Sequence, residues 1–205
     1  MALVKLNNRG VRSISTFGSI SSLGTYTFIK KITASSSSTI SFVDGSSDVV
    51  LDNTYKEYLF TFNNIHPSAD SNQFLINFSA DTGSNYNVTK PSTVWRAFLC
   101  EGDSSGSGFV SSNDLAQGTG VQILASSLGA DADHTTQGYL HLFDPSSTTY
   151  VKHFISRIST TSSDDQIMDF HVAGYCNTTS AVDAAQFSMT TGNIDAGDIC
   201  LYGIN

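Results

Sequence analysis

Apolar and polar residues alternate with a period of two in short segments from residue 39 to the end of the chain. In the clearest segment, Tyr58, Phe60 and Phe62 share one face, and Asn63 and Asn64 follow as turn residues. This is the period of a β-strand with one buried face. About ten such segments occur, near residues 40, 58, 74, 94, 121, 139, 150, 167, 185 and 199. Short strands separated by turns predict an all-β fold, an antiparallel β-sandwich of the jelly-roll type.

The composition also favours strands over helices. Charged residues make up 14% of the chain, against roughly 25% in ordinary globular domains. Glu57 and Glu101 are the only glutamates, so a residue common on helix surfaces is nearly missing. The hydrophobic fraction of 40% is high enough for a folded core. We expect helix only in two short stretches, 112–117 and 182–186.

Charge divides the chain into two unequal parts. The first 43 residues contain five Lys and Arg and no acidic residue, whereas all 18 Asp and Glu follow. We therefore predict an extended N-terminal attachment arm over residues 1–37 and a β-sandwich domain over 38–205, with the serine run 35–38 as a hinge. An ordinary flexible tail is the alternative. The predicted partner-binding residues of the arm are Lys5, Leu6, Arg9, Val11, Arg12, Ile14, Phe17, Lys30 and Lys31.

Several classes of partner and cofactor do not fit this sequence. The net charge of −8 disfavours binding to nucleic acid. No apolar run has the length of a membrane span, and the opening residues lack the apolar core of a secretory signal. Cys100, Cys176 and Cys200 are odd in number and lack metal-ligand spacing, which predicts free thiols formed in a reducing cytoplasm. We expect no cofactor.

The residues that could support catalysis are scattered, and we predict no enzymatic activity. The Ser- and Gly-rich segment 105–108 resembles a flexible loop and not a nucleophile elbow. Asp169 and His171 would share one face of a strand, where a hydrogen-bonded surface histidine is the favoured interpretation. Asp131, Asp133 and His134 offer three ligands for a divalent cation, but they lack the spacing of a calcium loop. A solvated acidic turn is favoured there, so we predict no metal site.

Aromatic residues give one further possibility. Tyr86, Trp95, Tyr139 and Tyr150 could form a platform on which sugar rings stack, a use to which β-sandwich loops are often put. Trp95, however, lies in a segment that is apolar on both faces, so the competing interpretation places it in the core. The free edges of the predicted sheets also favour self-association, and we expect a homo-oligomer, with a trimer as the working hypothesis.

Longer segments of the sequence resemble a known group of proteins. They are residues 55–67 (YKEYLFTFNNIHP), 77–87 (NFSADTGSNYN), 114–117 (DLAQ), 140–149 (LHLFDPSSTT), 192–197 (GNIDAG) and the opening 6–11 (LNNRGV). Together they resemble small virion structural proteins of marine tailed bacteriophages, including phages of cyanobacteria. The resemblance covers roughly residues 30–205 and implies a particle component. It supplies no catalytic or ligand-binding residues.

The resemblance and the charge pattern lead to one main hypothesis. The chain would be a capsid-attached decoration or head-fibre protein, assembled in the host cytoplasm and located in the virion. Its basic arm would dock on capsid or other virion proteins while the acidic body faces solvent. The alternative is a tail-fibre or adhesin domain that binds host surface glycans.

Overall fold

The computed structural model describes residues 26–204, which form twelve β-strands and one short 3-10 turn, Ser111–Asn113. The strands are β1 (Tyr26–Thr33), β2 (Thr39–Val43), β3 (Glu57–Pro67), β4 (Asn72–Ser79), β5 (Ser92–Cys100), β6 (Ser105–Phe109), β7 (Gln122–Leu128), β8 (Thr136–Phe143), β9 (Lys152–Thr161), β10 (Gln166–Cys176), β11 (Ala184–Met189) and β12 (Ile194–Ile204). Among these residues, no helix is long and apolar enough to cross a bilayer.

The strands form two antiparallel sheets packed face to face. The larger sheet has the order β1-β12-β3-β8-β9-β10-β5-β6, and the smaller has the order β2-β11-β4-β7. Along the chain, β1, β2, β3 and β4 alternate between the sheets, and so do β7, β8, β11 and β12. These eight strands, β1-β12-β3-β8 opposite β2-β11-β4-β7, have the strand order of a jelly roll. The predicted all-β sandwich is therefore confirmed.

Four strands are additions to this jelly roll. Two insertions extend the larger sheet to eight strands: β9 and β10 follow on β8, and β5 and β6 follow on β10. The smaller sheet keeps four strands, and its edge strand β7 contacts both β9 and β10. The extension has one face turned towards the protein interior and the other turned outward.

Aromatic side chains fill the space between the sheets. Phe187 on β11 lies at the centre, with Phe60 and Phe62 of the opposite sheet each 5.3 Å from it between ring centroids. Phe74 stacks on it at 5.8 Å and Phe42 meets it edge-on at 6.3 Å. All five rings are buried. The apolar residues that recur with a period of two in the sequence form the buried faces of these strands, because alternate side chains of a strand point to the same side.

The boundary predicted at residue 37 differs from the structure. Strand β1, which lies inside the predicted arm, pairs with β12 from Tyr26↔Ile204 to Thr33↔Asp198. The serine run is also tied down, since Ser37 and Ile194 exchange backbone hydrogen bonds of 2.8 Å in both directions. Residues 26–37 are therefore part of the sandwich, and the serine run is not a hinge. The rest of the predicted arm, residues 1–25, lies outside the described residues.

Two further expectations were wrong. Residues 105–108, predicted as a flexible loop, lie in the edge strand β6, which pairs with β5. Gly106 permits this pairing, because a Cβ there would lie 2.7 Å from the ring of Phe98. The two predicted helical stretches contain only the 3-10 turn and the beginning of β11.

Two lysines are buried without a carboxylate partner among the described residues. Lys90 Nζ donates to Asn77 Oδ1 at 2.6 Å and to the Val88 carbonyl at 3.1 Å. Lys152 Nζ donates to the carbonyls of Thr178 and Ser180 at 3.0 and 2.6 Å. Burial lowers the pKa of Lys90 to about 8 and also lowers the pKa of Lys152. These ammonium groups hold loops against the core, because their carbonyl partners belong to the segments that flank it.

Candidate functional site

The outer face of the extended sheet has a row of large side chains that crosses five strands. The cross-strand partners are Phe109 with Trp95, Trp95 with His171, His171 with Arg157, and Arg157 with Tyr139. Trp95 and His171 meet edge-on, with ring centroids 5.3 Å apart. Because neighbouring strands lie about 4.8 Å apart, the row spans roughly 19 Å from β6 to β8. The side chains come from distant parts of the sequence and are brought together only by strand pairing.

Three adjoining depressions follow β9 and β10 along this face, with volumes of about 500, 310 and 490 Å³. The first and second share Ile155 and Ala173, and the second and third share Tyr139 and Arg157. We call this continuous surface the trough. Because β9 has ten residues, the strand beneath it is about 30 Å long. Tyr139 on β8 and Trp95 on β5 stand on its two sides.

The trough is open to solvent and rich in apolar surface. Tyr139 is 39% exposed, and Ile155 and Ile167 are each 50% exposed. Their neighbours on β9 and β10 that point inward, such as Phe154 and Phe170, are fully buried. No element within residues 26–204 covers the outward side chains. Exposed apolar patches of this kind commonly mark binding surfaces.

Fixed polar groups lie within the trough. Arg157 donates to both oxygens of Asp169, from Nε at 3.1 Å and from Nη2 at 2.9 Å. His171 Nε2 lies 3.2 Å from Asp169 Oδ2. Partial burial opposes ionisation of Asp169, but the hydrogen bonds from Arg157 and His171 outweigh it and lower the pKa of this carboxyl. The predicted proximity of Asp169 and His171 is confirmed, and Arg157 is a partner that the sequence did not indicate.

The structure brings together two of the four aromatic residues considered for sugar stacking. Trp95 and Tyr139 lie on opposite sides of the trough, whereas Tyr150 is in the β8–β9 connection and Tyr86 in the β4–β5 connection. Trp95 is half-buried and lies on the outer face, so the interpretation of it as a core residue was wrong. The platform therefore belongs to a sheet face and not to the loops.

The predicted arm residues fall into two groups. Lys5, Leu6, Arg9, Val11, Arg12, Ile14 and Phe17 lie outside the described residues. Lys30 and Lys31 lie in β1, where Lys31 Nζ forms an ion pair with Asp198 of β12 at 3.2 Å. Hydrogen bonds from Thr33 and Lys31 lower the pKa of Asp198. Lys31 thus serves pairing within the body, and binding of a partner by any of these residues stays a prediction.

The acidic turn includes a contact that the sequence did not indicate. Asp165 of the β9–β10 hairpin joins Asp131 and His134, and their ligand atoms all lie within 4.8 Å of one another. His134 is buried, its Nε2 lies 3.2 Å from Asp165, and its Nδ1 has no partner among the described residues. A buried N–H without an acceptor is costly, which favours a proton on Nε2 shared with Asp165. A cation at Nε2 would displace that proton, so the geometry suits a hydrogen-bonded turn better than a metal site.

The cysteines are free, as expected, and Cys176 and Cys200 are buried. Burial raises the pKa of Cys176 to about 12, although Lys90 and Lys152 lie close enough to lower it. The Cys176 thiol therefore stays protonated at neutral pH and is a poor nucleophile. Cys176 therefore does not suggest a catalytic centre.

Comparison with known proteins identifies no relative: no protein-family model, curated protein or solved structure matches this chain.

Proposed function

We propose that the chain is a structural protein of a tailed-phage virion, a capsid decoration or head-fibre protein that displays an acidic β-sandwich from the particle. The sequence resemblance points to this class. Jelly rolls build many viral capsid domains, and they also build lectins, so the fold fits the proposal without assigning it.

The observation that carries the proposal is the way the basic segment joins the body. Residue 26 begins β1, which is held to β12 by seven register pairs at the edge of the larger sheet. A partner that binds the residues before β1 would therefore be linked directly to the larger sheet. Tyr26 and Phe28 on β1 are exposed, so apolar surface is present where the arm meets the body.

Charge supports the same arrangement. Residues 26–204 contain seven Lys and Arg against eighteen Asp and Glu, and two of the seven, Lys90 and Lys152, are fully buried. The remaining surface is strongly acidic, which keeps copies apart except where a cationic segment binds. Lys5, Arg9 and Arg12 supply that segment, and their natural partner is an acidic patch on a capsid protein. Within residues 26–204, strands β1, β2 and β6 each have one side without a paired strand, which leaves room for a homo-oligomer, a trimer in our proposal.

Copy number on the particle tests this proposal. The variant Lys5→Glu/Arg9→Glu/Arg12→Glu is compared with the wild type in virions of the phage that encodes the chain, by quantitative mass spectrometry of purified particles. We expect a several-fold loss of copies, with further loss at high salt, because screening weakens charge pairing between exposed groups. Lys56→Glu is the control, since it reverses a charge on the body. Full occupancy by the triple variant would show that the arm is not the anchor.

The trough favours a second function, recognition of host-surface glycans by a tail-fibre or adhesin domain. The two functions are compatible, because a protein anchored to a particle can also contact the host. A glycan array with the purified full chain is the first test, and consistent absence of binding would rule against the adhesin function.

A further inference from the structure

We infer that the trough along β9 and β10 is a binding site for a linear, uncharged glycan. This inference rests on the second function proposed above and adds the binding path, the ligand class and the residues that hold it.

The shape of the trough indicates an elongated ligand. The three depressions are continuous through shared residues and follow two strands for about 30 Å. Ala173, a small residue that faces outward, keeps the floor low where the first depression lies. A compact ligand would use only one of the three depressions.

The side chains have the chemistry of a sugar site. A pyranose ring presents C–H groups on its faces and hydroxyls at its rim, so it needs aromatic surfaces with hydrogen-bonding groups between them. Trp95 and Tyr139 supply the aromatic surfaces on either side. Arg157, Asp169 and His171 lie between them and are already held by each other, so binding orders few side chains.

Charge excludes anionic ligands. Arg157 and Asp169 form a closed pair, and apart from His153 and His171 the lining of the three depressions has no other ionisable side chain except the phenols of Tyr139 and Tyr175. The body around it is acidic. A polyanion such as nucleic acid or a sulfated polysaccharide would be repelled without compensating cations. A cationic ligand also lacks a partner, because Asp169, the only carboxylate of the lining, is already paired with Arg157. A neutral ligand therefore fits the trough best.

Two other occupants fit less well. An extended peptide binds a sheet through free backbone groups at an edge, but β9 and β10 are paired on both sides. A second copy of this face would bury the Arg157–Asp169 pair of both molecules, which removes water from charged groups. A glycan needs no free edge, and its hydroxyls can form hydrogen bonds with this pair.

The single tryptophan of the chain makes the site observable directly. Trp95 stands in the trough, so the intrinsic fluorescence of the full chain reports on any ligand there. The probes are the hexaoses and bioses of β-1,4-glucan, β-1,3-glucan, β-1,4-xylan and β-1,4-mannan, with an alginate oligosaccharide as the anionic probe. We expect at least one neutral hexaose to change the fluorescence and to bind about tenfold tighter than its biose, since the longer chain spans more of the trough.

Variants then localise the binding. Tyr139→Ala is expected to weaken the hexaose about tenfold, because a stacking surface is lost. Tyr150→Ala is the matched control, a tyrosine 71% exposed and outside the trough, and it should bind as the wild type does. Both variants are first checked for wild-type thermal unfolding, and the titration is repeated by calorimetry.

Three results would overturn the inference. They are a lack of response to every neutral hexaose, undiminished binding by Tyr139→Ala, or equal binding of the alginate probe. Sedimentation gives a fourth: if the chain self-associates and Ile155→Asp makes it monomeric, a second copy occupies the trough. The copy number on particles is measured in a separate experiment. Failure of glycan binding would therefore not contradict the proposal of virion attachment, and failure of attachment would not contradict glycan binding in the trough.

Discussion

Replacing Lys90 by methionine should change how the stability of the protein depends on pH. Lys90 is completely buried, and its Nζ contacts only the Asn77 and Val88 oxygens among the described residues. Methionine has a similar length and no charge, so the Lys90→Met variant keeps most of the packing while removing the titrating group. The wild type must bury an ammonium ion, or a neutral amine at higher pH.

The sign and size of the change in unfolding free energy with pH follow from the pKa of Lys90. Burial lowers the pKa of Lys90 from 10.5 to about 8 in the folded protein. Between these values the unfolded chain binds more protons than the folded one, so the free energy of unfolding rises with pH. Each pKa unit is worth about 1.4 kcal/mol, which gives about 3 kcal/mol across the window. The cost of the buried charge is thus fully present below pH 8 and has disappeared by about pH 10.5.

Other groups titrate in the same pH range. The measured quantity must therefore be the difference in unfolding free energy between the wild type and the variant. The raised pKa of Cys176, about 12 against 9.0 for an ordinary thiol, makes stability fall with pH above 9. Urea unfolding of the wild type and of Lys90→Met, followed by circular dichroism from pH 7.5 to 10.5, gives the contribution of Lys90 together with its coupling to the Cys176 thiol. We expect the wild type to gain about 3 kcal/mol relative to the variant over this range. A difference that stays constant with pH would refute the buried-charge reasoning.

The remaining predictions concern packing and reactivity. Phe187→Ala should lower the free energy of unfolding by about 3–5 kcal/mol, measured in urea, because it empties the centre of the aromatic core; a loss below about 1 kcal/mol would contradict that role. Gly174→Ala should cost about 1–3 kcal/mol, since its Cβ meets an aromatic ring at 2.5 Å and a carbonyl at 2.8 Å, whereas Gly108→Ala has open space and should be nearly neutral. Iodoacetamide at pH 8 should modify the half-buried Cys100 and leave Cys176 intact, as mass spectrometry of the native protein would show. Rapid labelling of Cys176 would mean that its surroundings open readily.

Strand pattern explains why much of the fold could be predicted. In β3 the side chains of Tyr58, Phe60 and Phe62 are buried and those between them are partly exposed, and the sequence shows the same alternation. The opposite case is β6, whose Ser and Gly side chains give no such pattern. It forms a strand because β5 offers an open edge, and no local property of those five residues reveals that. Strand β1 has a usable signal in its aromatic and β-branched residues, but Lys30 and Lys31 among them also continue the basic pattern of the N-terminal residues.

Sequence by itself determined the fold class and the division of charge, because the period of two and the positions of the charged residues are properties of the chain alone. Tertiary structure decided the trough. Trp95 lies in a strand that is apolar on both faces, and it is an outer-face residue because its neighbour Val94 is the one turned towards the interior and completely buried. The alignment of Trp95, His171, Arg157 and Tyr139 depends on the register of four strands, and a slip of one residue would turn any of these side chains to the other face. Register is set by all the pairings of the sheet together, which is why no segment of the sequence contains it.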